Sequence, residues 1–201
     1  MKYISCIGLE GAGKSTVIAV ITKFLNDKGI DVIRVREPGG TPIAETLRDI
    51  VKSKDHDEEL DAISEALLIY AGRNQLINNR VVPALNAGKV VLTDRCYACG
   101  DAYQGSGGGA SVRLLNILKE EAVAVKPDLH IYLDVPPAVG LARVDERGER
   151  DRFEENDLSF FEKAREGYLK FCNENNAIVV DATQSQEDVS NDVLRELSKY
   201  F

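Results

Sequence analysis

No apolar stretch in the 201-residue sequence approaches the roughly 18 residues that a membrane-spanning helix requires, so neither a span nor a membrane partner is expected. The N-terminal MKYISCIGLE carries only a short apolar run that stops at glycine. That pattern does not resemble a signal peptide and predicts a cytoplasmic protein. Histidine is scarce, with two residues, and the four cysteines have no secretory context, so reduced thiols are expected. Cys96 and Cys99 form one C-x-x-C, which is half of a zinc site, and only His56 and His130 could add to it. The plainer reading is two small thiols in a packed loop, with a redox role left open. Positive charge is in deficit: the formal net charge is −8. An acidic surface disfavours nucleic acid, although local basic clusters can still hold a small phosphate ligand. Internal repeats and linkers are missing too, and the length fits one domain over residues 1–201.

What is present is a regular alternation. Apolar runs enriched in β-branched residues occur at 2–8, 31–35, 89–94, 129–135 and 177–182. Helical patterns lie between and after them, roughly at 14–28, 41–52, 60–80, 111–124, 137–147, 158–174 and 186–200. Strands alternating with helices predict βαβ units, hence an α/β fold with a parallel sheet covered on both faces. Two stretches break the rhythm. GSGGG at 105–109 reads as a flexible turn, and RVDERGERDRFEEND at 143–157 reads as a solvated, mobile segment.

The stretch GLEGAGKS, residues 8–15, fits G-x-x-x-x-G-K-[ST] after a strand and before a helix. Gly8, Gly11 and Gly13 allow the backbone N–H groups to curl around phosphates, with Leu9, Glu10 and Ala12 completing the loop. Lys14 reaches the β/γ oxygens, and Ser15, followed by Thr16, can ligate Mg²⁺. This predicts binding of a nucleoside triphosphate. The absence of N-K-x-D argues against a GTPase, and the chain is short for a motor or helicase. A small-molecule kinase fits better, and such an enzyme needs a second anion pocket and a closing lid. Asp94 and Arg95 end the third strand, where α/β proteins place ligands. Asp94 suits orientation of Mg²⁺ or its water and Arg95 suits a phosphate, with a structural Asp–Arg pair as the alternative.

Taken in order, GLEGAGKST, REPGGT, AETLR, AGRNQ, DR…AYQG, PDLHIYLDV, RGERDRFE and DATQ resemble the thymidylate kinase family over nearly the whole chain. The bacterial form is the nearer match, since the phosphate loop lacks arginine and the lid supplies it. The resemblance implies a P-loop NTPase fold with a five-stranded parallel sheet flanked by helices, and commonly a homodimer. It implies ATP-dependent phosphorylation of dTMP to dTDP with Mg²⁺. Kinase activity on another monophosphate such as dUMP, or a nucleotide-binding module without turnover, are the alternatives.

Residue by residue, the resemblance puts Glu10 near the deoxyribose 3′-hydroxyl, unless it simply pairs with an arginine. Arg48 and Arg95 clamp the acceptor phosphate, and Glu37 orders those groups or the metal region. Arg73 donates to the base carbonyl, Gln104 meets the base edge, and Tyr103 crowds a ribose 2′-hydroxyl. Arg143, Arg147 and Arg150 are lid arginines for the γ-phosphate, while Asp151 and Glu154 sit near sugar and metal. Lys14 carries transition-state charge, and Asp94 is an organiser rather than a proton acceptor. The sequence departs from the family on the base side of the pocket. Ile69 stands where a phenylalanine usually stacks on thymine, with Tyr70 next to it; Cys99 replaces a serine, and Gly100 stands where a hydroxyl or amide residue is common.

Overall fold

The five apolar runs become five parallel strands in a computed structural model that describes residues 2–148 and 150–201. Met1 and Glu149, the latter inside the predicted lid segment, lie outside the described residues. The strands are β1 (Tyr3–Gly8), β2 (Val32–Arg36), β3 (Val90–Asp94), β4 (Leu129–Asp134) and β5 (Ile178–Asp181), ordered β2-β3-β1-β4-β5. All six residues of β1 are buried. Successive side chains of a strand point to opposite faces, so both faces of the sheet centre are covered. The predicted five-stranded parallel sheet is borne out. Its register pairs Cys6 with Asp94 and Arg36 with Asp94. The carboxyl ends of β1, β2 and β3 therefore share one edge, and the chain segments that leave them converge there.

The helices are α1 (Lys14–Asp27), α2 (Pro42–Lys52), α3 (Ala62–Leu76), α4 (Val82–Asn86), α5 (Val112–Ala122), α6 (Pro137–Asp145), α7 (Leu158–Asn175) and α8 (Gln186–Leu197). Side chains of Thr41, Asp61, Ser111, Asp157 and Ser185 accept from first-turn N–H groups of α2, α3, α5, α7 and α8. Such caps satisfy donors that the helix itself leaves orphaned. Helix α1 starts differently: Gly13 precedes it in a left-handed conformation, and no side chain caps it. Its first N–H groups have no side-chain acceptor among the described residues.

Two local expectations are corrected. The pattern read as one helix to residue 80 instead runs α3, a π-helical turn (Ile77–Val81) and α4. Glycines 105 and 107 are not a flexible turn, because Gly100–Gly107 coils as a π-helix against α7. The fit is close: a Cβ on Gly167 of α7 would meet Ser106 Oγ at 2.6 Å, and one on Gly107 would meet Phe160 at 2.6 Å. The described residues of the charged run at 143–157 are partly exposed and partly paired with other elements. Lys52 pairs with Asp151 at 2.6 Å, Lys54 with Glu155 at 2.5 Å, and Arg152 with Glu65. The described part of this segment thus lies against α2 and α3, with Glu154 buried. The four cysteines are free and buried. His130 is a core residue beside Ser5 Oγ at 2.7 Å, and burial lowers its pKa to about 4.

Candidate active site

At the carboxyl edge of the sheet lies a cavity of about 830 Å³. One end is the phosphate loop and the first turn of α1, with Arg143 and Arg147 beside them; the other is walled by Arg48, Ile69, Arg73, Cys99, Gln104 and Phe153. Glu10, Asp94, Arg95 and Tyr103 lie along the same cavity. One continuous space therefore joins an anion cradle to a second, arginine-rich pocket.

The cradle depends on close backbone approach. Gly11 has φ +70, and a Cβ there would lie 2.1 Å from the Gly140 carbonyl oxygen of α6. A Cβ on Gly140 would in turn lie 2.4 Å from the Glu10 carbonyl oxygen. Only glycines let α6 meet the loop at this distance. Lys14 Nζ donates to the Gly8 and Leu9 carbonyl oxygens at 3.0 and 2.7 Å, which folds the side chain over the loop. Burial, and then the like charge of Arg95, lower its pKa from the ordinary value. Arg143 donates to Gly11 O at 3.2 Å and Ala182 O at 2.9 Å, tying α6 to the loop and to the end of β5. Ser15 is exposed at the start of α1. Ala12 and Thr16 line an adjoining cavity of about 160 Å³, which reaches Gln184 after β5.

Glu10 turns away from the cradle. Arg95 Nη2 donates to its Oε1 at 2.6 Å, and the Tyr103 hydroxyl donates to Oε2 at 2.5 Å. The guanidinium also lies 5.1 Å from the centre of the Tyr103 ring. Burial opposes ionisation of Glu10, but Arg95, Lys14 and Tyr103 outweigh it and hold the carboxyl below its usual range. Both readings of Glu10 survive, since the arginine pair faces the same cavity as the acceptor groups. Asp94 presents a buried Oδ1 without a hydrogen-bond partner among the described residues.

In the second pocket, Arg73 Nε donates to Glu37 Oε2 at 2.6 Å, and both side chains are nearly inaccessible. Burial opposes the Arg73 charge, yet Glu37 and the Tyr70 ring 4.2 Å away keep it cationic. Its Nη1 has no partner among the described residues. Arg48 donates to Pro38 O at 2.8 Å, with Lys52 one helical turn further along α2 in the same cavity. Burial, then Arg36, lowers the Arg48 pKa. Ile69 faces the cavity, while Tyr70 points elsewhere: a Cβ on Gly100 would lie 2.6 Å from the Tyr70 hydroxyl. Gly100 thus makes room for Tyr70 rather than lining the cavity. Among the lid arginines, Arg143 and Arg147 line the cavity and Arg150 does not; Arg150 is held by both Asp145 oxygens at 2.7 and 2.8 Å. Arg147 pairs with Glu154 at 2.5 Å.

The sequence matches the family model for thymidylate kinase over residues 8–193. The chain belongs to the thymidylate kinase family. It is 49% identical over 202 residues to a thymidylate kinase of Pseudoalteromonas translucida (strain TAC 125), covering 100% of this chain and 97% of that protein. It is 48% identical to a thymidylate kinase of Alteromonas mediterranea, covering 99% and 90%. A thymidylate kinase of Francisella philomiragia is 45% identical, covering 100% and 99%. The parallel sheet with its phosphate loop is the P-loop NTPase fold of the thymidylate kinase family. Among the described residues, no helix is long and apolar enough to cross a membrane.

Sequence reasoning missed Lys52 and Phe153, which line the cavity, and Glu65 and Arg152, which do not line it but form an ion pair behind Gln104. A signal existed for Glu65, because Glu65, Ile69 and Arg73 recur every four residues and share one face of α3. Lys52 likewise follows Arg48 by four on α2. Phe153 had no such signal.

Proposed function

We infer that the chain transfers the γ-phosphoryl group of ATP to dTMP, giving dTDP and ADP. The observation that carries this is the single cavity joining the uncapped phosphate loop of α1 to a second anion pocket, in a chain related over its full length to thymidylate kinases. The phosphate loop holds the donor phosphates, and the smaller cavity beside Thr16 and Gln184 suits the donor's nucleoside. Arg48 and Arg95 clamp the acceptor phosphate, and Arg73 Nη1 is the donor for the base carbonyl. An oxygen of the acceptor phosphate attacks the γ-phosphorus as the bond to the bridging β–γ oxygen breaks. That oxygen is already ionised at neutral pH, so positioning and charge neutralisation dominate over general-base chemistry. Lys14, Arg143 and Arg147 supply the cationic surround.

Mg²⁺ suits these residues. Among the described residues no group of three or more His, Cys, Asp and Glu could cage a metal, and Mg²⁺ is commonly held through phosphates and one or two protein oxygens. Asp94, with its unpartnered Oδ1, and the exposed Ser15 hydroxyl are the groups to hold it. When bound, the ion neutralises charge on the phosphate oxygens. The homodimer implied by the family is supported by apolar side chains exposed on α2 (Ile43, Ile50) and α3 (Ile63, Leu67), and sedimentation velocity reads it.

Coupled turnover with dTMP, dUMP, UMP, dCMP, AMP and GMP tests the assignment, with dTMP expected to lead. Lys14→Ala should lower dTMP turnover at least about a hundredfold, on the scale of losing one preorganised donor. Near-normal turnover by the folded variant would overturn the role of Lys14.

A further inference from the structure

Gln104 is buried on the base side of the cavity, and the atom it offers a ligand is decided by a neighbour. Its side-chain amide lies 2.7 Å from Glu65 Oε1. A carboxylate only accepts, so the amide nitrogen must face Glu65 and the carbonyl oxygen must turn away. No described group donates to that oxygen. Glu65 cannot easily swing aside, because Arg152 holds its other oxygen and Arg152 Nε is itself fixed on Val51 O at 2.6 Å. Among the described residues, Arg73 Nη1 and Gln104 Oε1 are thus polar atoms on this side of the cavity without a protein partner, a donor and an acceptor.

We propose that Glu65 is a positioning residue for base specificity, locking the Gln104 amide so that its oxygen reads an N–H on the pyrimidine. The proposal rests on the reading of this cavity as the dTMP site. A 4-keto pyrimidine offers a carbonyl acceptor at O4 beside an N3–H donor, which complements an Arg73 donor and a Gln104 acceptor. Cytosine offers an amino donor and a bare ring nitrogen, and it mismatches at both. Rotation of Gln104 by half a turn would serve cytosine N3, but it would set the amide oxygen against the Glu65 carboxylate. Specificity on this account comes partly from forbidding the wrong amide orientation.

Glu65→Gln preserves shape but can either accept or donate, so it permits both orientations of Gln104. The ratio of kcat/KM for dTMP to that for dCMP should fall at least about tenfold, with the loss for dTMP falling on KM more than on kcat. Arg152→Met removes the residue that holds Glu65 in place and should lower the ratio in the same direction, by less than Glu65→Gln does. An unchanged ratio in Glu65→Gln, or a larger fall in Arg152→Met than in Glu65→Gln, would overturn the proposal. Calorimetry on the wild-type chain gives a second reading, independent of any variant's folding. The N3-methyl analogue should bind at least about tenfold more weakly than dTMP, and equal affinity would overturn the proposal. A wild-type chain that discriminated in this way without turnover would instead overturn the kinase reading while supporting the role of Glu65.

Discussion

Replacing Glu10 by glutamine removes one charge and leaves the side-chain volume intact. Both carboxylate oxygens are engaged, one by Arg95 at 2.6 Å and one by Tyr103 at 2.5 Å. An amide accepts at one end only. If it keeps the Arg95 bond, its nitrogen faces the Tyr103 hydroxyl, which can rotate to accept; the number of hydrogen bonds survives and the charge does not. Breaking a buried ion pair costs about 3–5 kcal/mol when one charge is stranded. Here the Arg95 side chain remains 19% exposed toward the cavity, where water screens it, and one bond persists. The expected loss of stability is therefore about 1–2.5 kcal/mol, read by urea unfolding near neutral pH. The pH dependence carries the sharper test. The folded-state pKa of Glu10 lies below its ordinary value of 4.5. A depressed carboxyl contributes stability that is present above the unfolded pKa and is lost as pH falls through the folded one. The gap between wild type and Glu10→Gln should thus be full near neutrality and close progressively below about 4.5. A gap of constant size through that range would refute the ion-pair account. Kinetically, the variant should narrow the preference for dTMP over its 3′-deoxy analogue, and an unchanged ratio would leave Glu10 with the Arg95 pair alone.

Two further expectations follow from the cavity walls. Arg143→Ala and Arg147→Ala should each lower kcat more than they raise the dTMP KM, whereas Arg150→Ala, whose guanidinium is committed to Asp145, should change either parameter by less than about threefold. An Arg150 effect equal to the others would show that the segment rearranges to bring it in. Ile69→Phe should tighten dTMP binding by about 0.5–1.5 kcal/mol, since a flat ring improves on an aliphatic contact already present. Titration calorimetry decides it, and a loss on Tyr70→Ala with no gain on Ile69→Phe would refute the placement of Ile69 under the base.

Phosphate chemistry was legible because its signal is local. Gly11, Gly13 and Lys14 act within a few residues of one another, and a strand before and a helix after are enough to place them. The parallel sheet was legible for a similar reason: buried strands read as unbroken apolar runs. The π-helical turn at Gly100–Gly107 was not, because its glycines signal local freedom while the structure uses them for the close approach of α7. The partners of the charged run at 143–157 were not legible for the same reason. A run of carboxylates and arginines looks solvated until its partners Lys52, Lys54 and Glu65, a hundred or so residues away in the chain, are brought alongside it.

From the sequence alone came the periodicities that define the strands and helices, the anion cradle and the family resemblance, all of which depend on short-range order or on motifs in series. Tertiary structure alone decided that Glu10 bonds Arg95 and Tyr103, that Ile69 rather than Tyr70 faces the cavity, and that Glu65 orients Gln104. Each of those is a choice among rotamers and partners, settled only when packing excludes water and leaves a polar atom one neighbour to bond.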